Sequence, residues 1–203
     1  MGIGAINSPS GKAVFLDRDG VINRAVVRDG KPFPPAGLHD FEILPGVEGA
    51  LQTLRERGFW LCVVTNQPDV ARGTQDRSVV EAMHDHLRNR LPLDAFQVCY
   101  HDDSDACHCR KPKPGLLLDA AAKHAISLTN SYMIGDRWRD IDCGYSANCT
   151  TIFIDHGYRE ALNKQPHFRV PDLEAATRII TSREESAIVS HSNDQARIIK
   201  ENM

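Results

Sequence analysis

Two kinds of pattern alternate along this chain. Apolar runs at 13–17, 60–65, 96–100, 131–135 and 150–154 are short and bounded by polar or glycine positions, which predicts buried strands. Between and after them, apolar residues recur every three or four positions and predict helices over 46–57, 76–90, 114–125, 138–147 and 172–181. Leu116, Leu117, Ala120, Ala121 and His124 form one such stripe. Two of these segments begin at Pro45-Gly46 and Pro114-Gly115, where a missing N–H costs little. Strand and helix in alternation predict an α/β fold, a Rossmann-like parallel sheet with helices on both faces. The segment from Asp19 to Pro45, with Lys31-Pro32-Phe33-Pro34-Pro35 inside it, reads as a loop rich in Gly and Pro. From about Thr181 the chain is polar with scattered Ile188, Val189, Ile198 and Ile199, and reads as a peripheral helix or a mobile tail. The expected division is an N-terminal arm over 1–12, one domain over 13–181 and a polar tail over 182–203.

The first apolar run ends in charge, as Ala13-Val14-Phe15-Leu16-Asp17-Arg18-Asp19-Gly20. A buried strand delivers its last side chains to the carboxyl edge of the sheet, where ligands of open α/β folds bind. Two carboxylates this close repel unless a cation lies between them, so the pair points to a metal such as Mg²⁺. An isolated pair would equally suit a strand end capped by an acidic turn. Three further groups follow in order. Trp60-Leu61-Cys62-Val63-Val64 leads into Thr65-Asn66-Gln67, and Cys109-Arg110-Lys111-Pro112-Lys113-Pro114-Gly115 occupies the middle of the chain. Tyr132-Met133-Ile134 leads into Gly135-Asp136-Arg137, with Asp140 and Asp142 close behind.

With 203 residues, 41% hydrophobic and 25% charged, the chain suits one domain with a substantial core. A net charge of −3 supplies no basic footprint, which argues against a nucleic-acid partner. Residues 1–12 show no secretory apolar segment, Ile6 breaks the myristoylation pattern after Gly2, and no apolar run reaches membrane-spanning length. A cytoplasmic monomer without membrane contact is the expectation. In that setting clustered cysteines read as metal ligands rather than a disulfide framework. Cys99, His101, Cys107 and Cys109 supply three thiolates and an imidazole, the closed tetrahedral set of a structural Zn²⁺. Such a zinc would fix the loop that leads into Arg110 and Lys111. His108 is expected to face solvent, Cys62 to pack inertly in a core strand, and Cys143 and Cys149 show no partner.

Acid pair, hydroxyl, lysine and final acid, in that order over residues 13 to 157, resemble the haloacid dehalogenase-like phosphohydrolases. The resemblance implies Asp17 as the nucleophile that becomes an aspartyl phosphate, and Asp19 as the acid and base, its backbone carbonyl touching Mg²⁺. Thr65 fits the hydroxyl that bonds the phosphoryl oxygens, with Asn66 and Gln67 as added donors to substrate. Lys111 fits the family lysine, with Lys113 as its rival, and Asp136 fits the last Mg²⁺ ligand. Asp140 would orient Lys111 or a metal-bound water, and Asp142 would lie on a solvated helix face. Arg137 stands where relatives often have lysine. Arg18 is expected to face substrate or support the acids, and Arg110 to bind a substrate phosphate, because a guanidinium grips phosphate through two donors. Neither the Asp19–Pro45 segment nor the stretch after Thr65 is long enough for a cap domain, so a capless core is expected.

The zinc loop narrows the resemblance to the branch holding heptose bisphosphate and histidinol-phosphate phosphatases. Asp17-Arg18-Asp19-Gly20-Val21-Ile22-Asn23, Phe41-Glu42-Ile43-Leu44-Pro45-Gly46, Ala71-Arg72-Gly73 and the Cys109–Gly115 segment are similar to the heptose group. Two features depart from it: the five-residue gap between His101 and Cys107 is similar to the histidinol-phosphate loop, and Pro68-Asp69 replaces a common Ser-Gly. The expected activity is Mg²⁺-dependent hydrolysis of a small phosphorylated substrate, a sugar bisphosphate. A histidinol-phosphate phosphatase, a phosphotransferase or mutase, and a non-catalytic zinc-stabilised binding module are the alternatives.

Overall fold

The structure, a computed structural model, describes residues 11–201, with side chains through residue 187. Most of the expected N-terminal arm lies outside the described residues. The strands are β1 (Ala13–Leu16), β2 (Val26–Arg28), β3 (Lys31–Phe33), β4 (Trp60–Asn66), β5 (Ala95–Cys99), β6 (Tyr132–Gly135), β7 (Thr150–Ile154) and β8 (Phe168–Val170). The helices are α1 (Val47–Glu56), α2 (Arg77–Arg90), α3 (Gly115–His124), α4 (Trp138–Ser146) and α5 (Leu173–Glu201). Six strands form one parallel sheet in the order β5-β4-β1-β6-β7-β8.

The side chains of β1 are fully buried because the sheet is covered on both faces, and they alternate between two cores. Val14 and Leu16 join Leu51 and Leu54 of α1 with Leu173, Ala176 and Ile180 of α5. Ala13 and Phe15 join Leu116, Leu117, Ala120 and Ala121 of α3 with Cys143 of α4. Each fully buried Leu or Ile on these faces contributes about 1.5–3 kcal/mol by leaving water. The α/β sandwich predicted from the apolar pattern is therefore the one observed, and Cys62 is a buried core residue in β4 as expected.

Three elements were not anticipated. β2 and β3 form an antiparallel hairpin inside the Gly/Pro-rich segment. Its turn residues Asp29 and Gly30 both have positive φ, 51° and 74°, the conformation that the Asp-Gly pair favours in tight hairpins. β8 adds a three-residue edge strand beside β7. The polar C-terminal stretch takes the helical alternative: α5 runs unbroken past Thr181, with Lys12 paired to Glu184 and Arg57 to Glu185. No helix among the described residues is long and apolar enough to cross a membrane.

Candidate active site

The chain moves outward from β1 through β4 and β5, then returns to place β6 on the other flank of β1. Such a switch point opens a crevice at the carboxyl ends of the strands. Leu16 pairs with Val63 on one side and Ile134 on the other, so Asp17, Thr65 and Asp136 emerge at one edge. Lys111 reaches this edge from the turn before α3. Its Nζ donates to Asp17 Oδ1 at 2.8 Å and to the Val64 carbonyl at 2.7 Å, and lies 2.6 Å from Asp140 Oδ1. Burial works against the lysine charge, but Asp140 and Asp17 outweigh it and push its pKa up. For Asp17 burial wins: against the pull of Lys111, and with the repulsion of Asp140 and Asp19, its carboxyl rises to about 7. Of the two roles open to Asp140, the lysine anchor is the one seen. Lys113, the rival lysine, donates to the Ala106 and Cys107 carbonyls instead.

Asp136 is 1% exposed and neither of its carboxylate oxygens has a hydrogen-bond partner. A buried charge left in this way is unfavourable. Burial first, then Asp17 and Asp140, push its pKa well above the usual range. Tyr158 is near enough for its own ionisation to be pushed up by burial and by Asp136, without reaching hydrogen-bond geometry. One oxygen from each of Asp17, Asp136 and Asp140 lies within 4.8 Å of the others, so this orphaned carboxylate and its neighbours fit a divalent cation. Gly20 has φ +89°, and a Cβ there would overlap the Asp136 carboxylate; a side chain at this turn would close the site.

Asp19 is held by a cage of donors. Arg18 contributes three bonds of 2.9–3.2 Å, Asn23 one at 2.9 Å and Gln67 one at 3.0 Å. Gln67 also donates to Thr65 Oγ1 at 2.9 Å. These bonds select one of the two roles open to Arg18 and redirect Gln67. Arg18 supports the acid rather than facing substrate: it is 0% exposed, and its other hydrogen-bond partner is His84 Nε2 at 3.1 Å. His84 can accept there because burial and the Arg18 charge push its pKa down to about 4. Gln67, 2% exposed, is likewise spent on Asp19 and Thr65 rather than on a ligand. Asn66 lines the pocket, and its side chain brackets the Lys111 backbone, donating to its carbonyl at 3.0 Å and accepting from its N–H at 3.1 Å.

The pocket over Asp17, Asp19, Thr65 and Lys111 is completed by Pro32 and Phe33 of the hairpin with Pro34 after it, and by Arg137 and Arg139 at the start of α4. Arg110 is not part of that lining. Its Nε donates to Asp103 at 2.8 Å and a terminal N–H to the His101 carbonyl at 3.3 Å, which braces the thiol loop instead. Sequence reasoning missed the hairpin wall, Arg139, and the roles of Asn23 and His84. Only the hairpin carried a local signal, the Asp29-Gly30 turn.

The four donors of the second cluster come together as the spacing predicts. Cys99 Sγ lies 3.6 Å from His101 Nδ1, 3.7 Å from Cys107 Sγ and 3.3 Å from Cys109 Sγ. Cys109 Sγ is 3.5 Å from Cys107 Sγ and 3.3 Å from His101 Nδ1. A tetrahedron with metal–sulfur bonds of about 2.3 Å has edges of about 3.8 Å, so the cluster fits a metal ion with slight expansion. Burial opposes ionisation of Cys107, but donors from Cys109, the Arg110 backbone and Cys99 prevail and bring its thiol down to about 7. His108 faces solvent as expected and pairs with Asp119.

The family model described as "HAD-hyrolase-like" matches residues 108–176. The D-glycero-alpha-D-manno-heptose-1,7-bisphosphate 7-phosphatase of Mycobacterium tuberculosis is 41% identical over 139 residues, covering 66% of this chain and 71% of the relative. The D-glycero-beta-D-manno-heptose-1,7-bisphosphate 7-phosphatase of Helicobacter pylori is 37% identical over 144 residues, covering 67% and 78%. Among solved structures, the D,D-heptose 1,7-bisphosphate phosphatase of B. bronchiseptica, complexed with magnesium and phosphate, superposes with a TM-score of 0.71 at 27% identity, covering 85% of this chain and 99% of that one. With a capless parallel sheet, an acid pair at its switch point and relatives of this similarity, the chain belongs to the haloacid dehalogenase-like hydrolase family, in the group of the heptose bisphosphate phosphatases.

Proposed function

We propose that this protein is a Mg²⁺-dependent phosphatase that removes the C7 phosphate of D-glycero-D-manno-heptose 1,7-bisphosphate. The observation that carries the reading is the buried floor where Lys111 sits between Asp17 and Asp140, beside the unpartnered Asp136. Asp17 attacks phosphorus through a carboxylate oxygen as the bond to the sugar oxygen breaks, giving an aspartyl phosphate. Asp19 gives a proton to the departing alkoxide. It then takes a proton from the water that attacks phosphorus, the bond to Asp17 breaks, and inorganic phosphate leaves. Thr65 and Lys111 stabilise the charge that develops on the phosphoryl oxygens. Arg18 and Gln67 act as positioning residues for Asp19. Mg²⁺, held by Asp17, Asp136 and the Asp19 backbone carbonyl, would neutralise charge on both nucleophile and phosphoryl group.

The thiolate–imidazole cluster is the place for Zn²⁺, which suits nitrogen and sulfur donors in a tetrahedron. Its role is to fix the loop that ends two residues before Lys111. The names of the relatives give heptose substrates of both anomeric forms. Phosphate release is therefore to be compared for the α and β heptose bisphosphates and for histidinol phosphate. A preference of several hundredfold in kcat/KM for one heptose anomer, about 3–4 kcal/mol, is the expected result. Faster turnover of histidinol phosphate would overturn the substrate, and no phosphate release from any of the three would overturn the phosphatase reading.

A further inference from the structure

A bisphosphate brings two anionic groups to the pocket, and the floor accounts for one of them. Among the described residues, the other cations near the pocket are already engaged. Lys111 is shared by Asp17 and Asp140. Arg137 forks onto Glu160 with bonds of 2.8 Å and 2.5 Å. Arg110 is bound to Asp103 and the His101 carbonyl.

Arg139 differs from all three. It lines the pocket, its side chain is 29% exposed, and its guanidinium lies 3.6 Å from Asp103, beyond a good hydrogen bond. Its guanidinium lies over the adjoining Trp138 ring, the carbon 4.6 Å from the ring centroid. It also stands in the first turn of α4, where the helix dipole favours acids and works against a cation by about 0.3–1 kcal/mol. A cation kept there, with donors left over and an opening into the pocket, is arranged for an anion from outside.

We propose that Arg139 is the specificity residue that binds the non-reacting phosphate of the bisphosphate, in place of the Arg110 expected from the sequence. This rests on the bisphosphate reading of the substrate. A phosphate drawn to Arg139 replaces the weak Asp103 contact with a two-donor grip on the guanidinium. Binding energy at this remote group then holds the reacting phosphate over Asp17.

The test compares kcat/KM for heptose 1,7-bisphosphate with that for heptose 7-phosphate, which lacks only the distal phosphate, in the Mg²⁺-loaded protein and in Arg139→Ala and Arg139→Lys. Wild type is expected to favour the bisphosphate, and Arg139→Ala to reduce that ratio about thirty- to a hundredfold, chiefly through KM. Arg139→Lys, which keeps the charge and loses the planar fork, should recover part of the ratio. Equal losses on both substrates would assign Arg139 a structural role and overturn the inference, as would an unchanged ratio in both variants. A wild-type ratio near one would overturn the bisphosphate reading and this inference with it, so the two failures are distinguishable.

Discussion

The thiol cluster takes its four donors from residues 99 to 109, whereas the carboxylate floor gathers Asp17, Lys111, Asp136 and Asp140 from three separate segments. The Lys111–Asp17 bond alone joins residues 94 apart in sequence. A loop-built cluster depends little on the rest of the fold and gains from a metal that staples it. A floor built from strand ends depends on sheet register, because a slip of one residue in β1 or β6 would turn its acids into the core. The two regions meet along the chain, where Cys109 ends one and Lys111 belongs to the other with Arg110 between them braced back onto the loop, and across space, where the Gln67 N–H donates to the Cys99 carbonyl at 2.7 Å. The two-residue step from Cys109 to Lys111 makes the loop a support for the lysine.

Substitution at the proposed nucleophile separates the regions most sharply. Asp17→Asn should reduce phosphate release by roughly 10⁴-fold or more while the metal content of the thiol loop is retained. Substantial residual turnover would remove Asp17 from its assigned role. Breaking the other region tests the link. Cys107→Ser with Cys109→Ser should abolish zinc binding and lower Tm by about 10 °C. Activity should fall about tenfold as Lys111 loses its support. A fall in Tm with full activity would show that the two regions are independent, and unchanged metal content would refute the zinc site.

The smallest effect concerns pH. Because the folded-state value of Asp17 is raised to about 7, the stability linked to it is present below the unfolded carboxylate value and is lost as pH rises toward 7. A cation reverses this by competing with protons for Asp17 and for Asp136, which is raised by the same burial. Mg²⁺ affinity measured by calorimetry should therefore weaken below pH 7, by about tenfold per unit for each proton displaced. An affinity flat between pH 5 and 7 would mean that these carboxyls are already ionised without the metal.

Much of the molecule is legible along the chain, and the reason is local. Five strands and the starts of five helices follow from apolar periodicity read over a few turns, and the thiol–imidazole cluster follows from its spacing. The hairpin was not read from the chain: Asp29-Gly30 is a turn signal, but three-residue strands around Pro32 are too short to stand out. The direction in which each polar side chain turns was not legible. Arg18 lies between the paired acids in sequence and turns back onto Asp19, with a further guanidinium nitrogen meeting His84, which α2 packs against it. Arg110 precedes the lysine yet turns back to Asp103, and Gln67 follows the hydroxyl yet is consumed by Asp19. Of the two lysines, the resemblance selects Lys111 over Lys113, and Lys111 is the one that reaches Asp17 and Asp140.

Sequence alone determined the class of sheet, the order in which acids, hydroxyl and lysine meet its edge, and the thiol loop. Periodicity and short-range spacing suffice for these, since each is encoded within one stretch of chain. Tertiary structure decided which cations are neutralised inside the protein and which is left for a ligand. That choice depends on distances between segments far apart in sequence, and a side chain's neighbours in space, not those in the chain, set its charge balance.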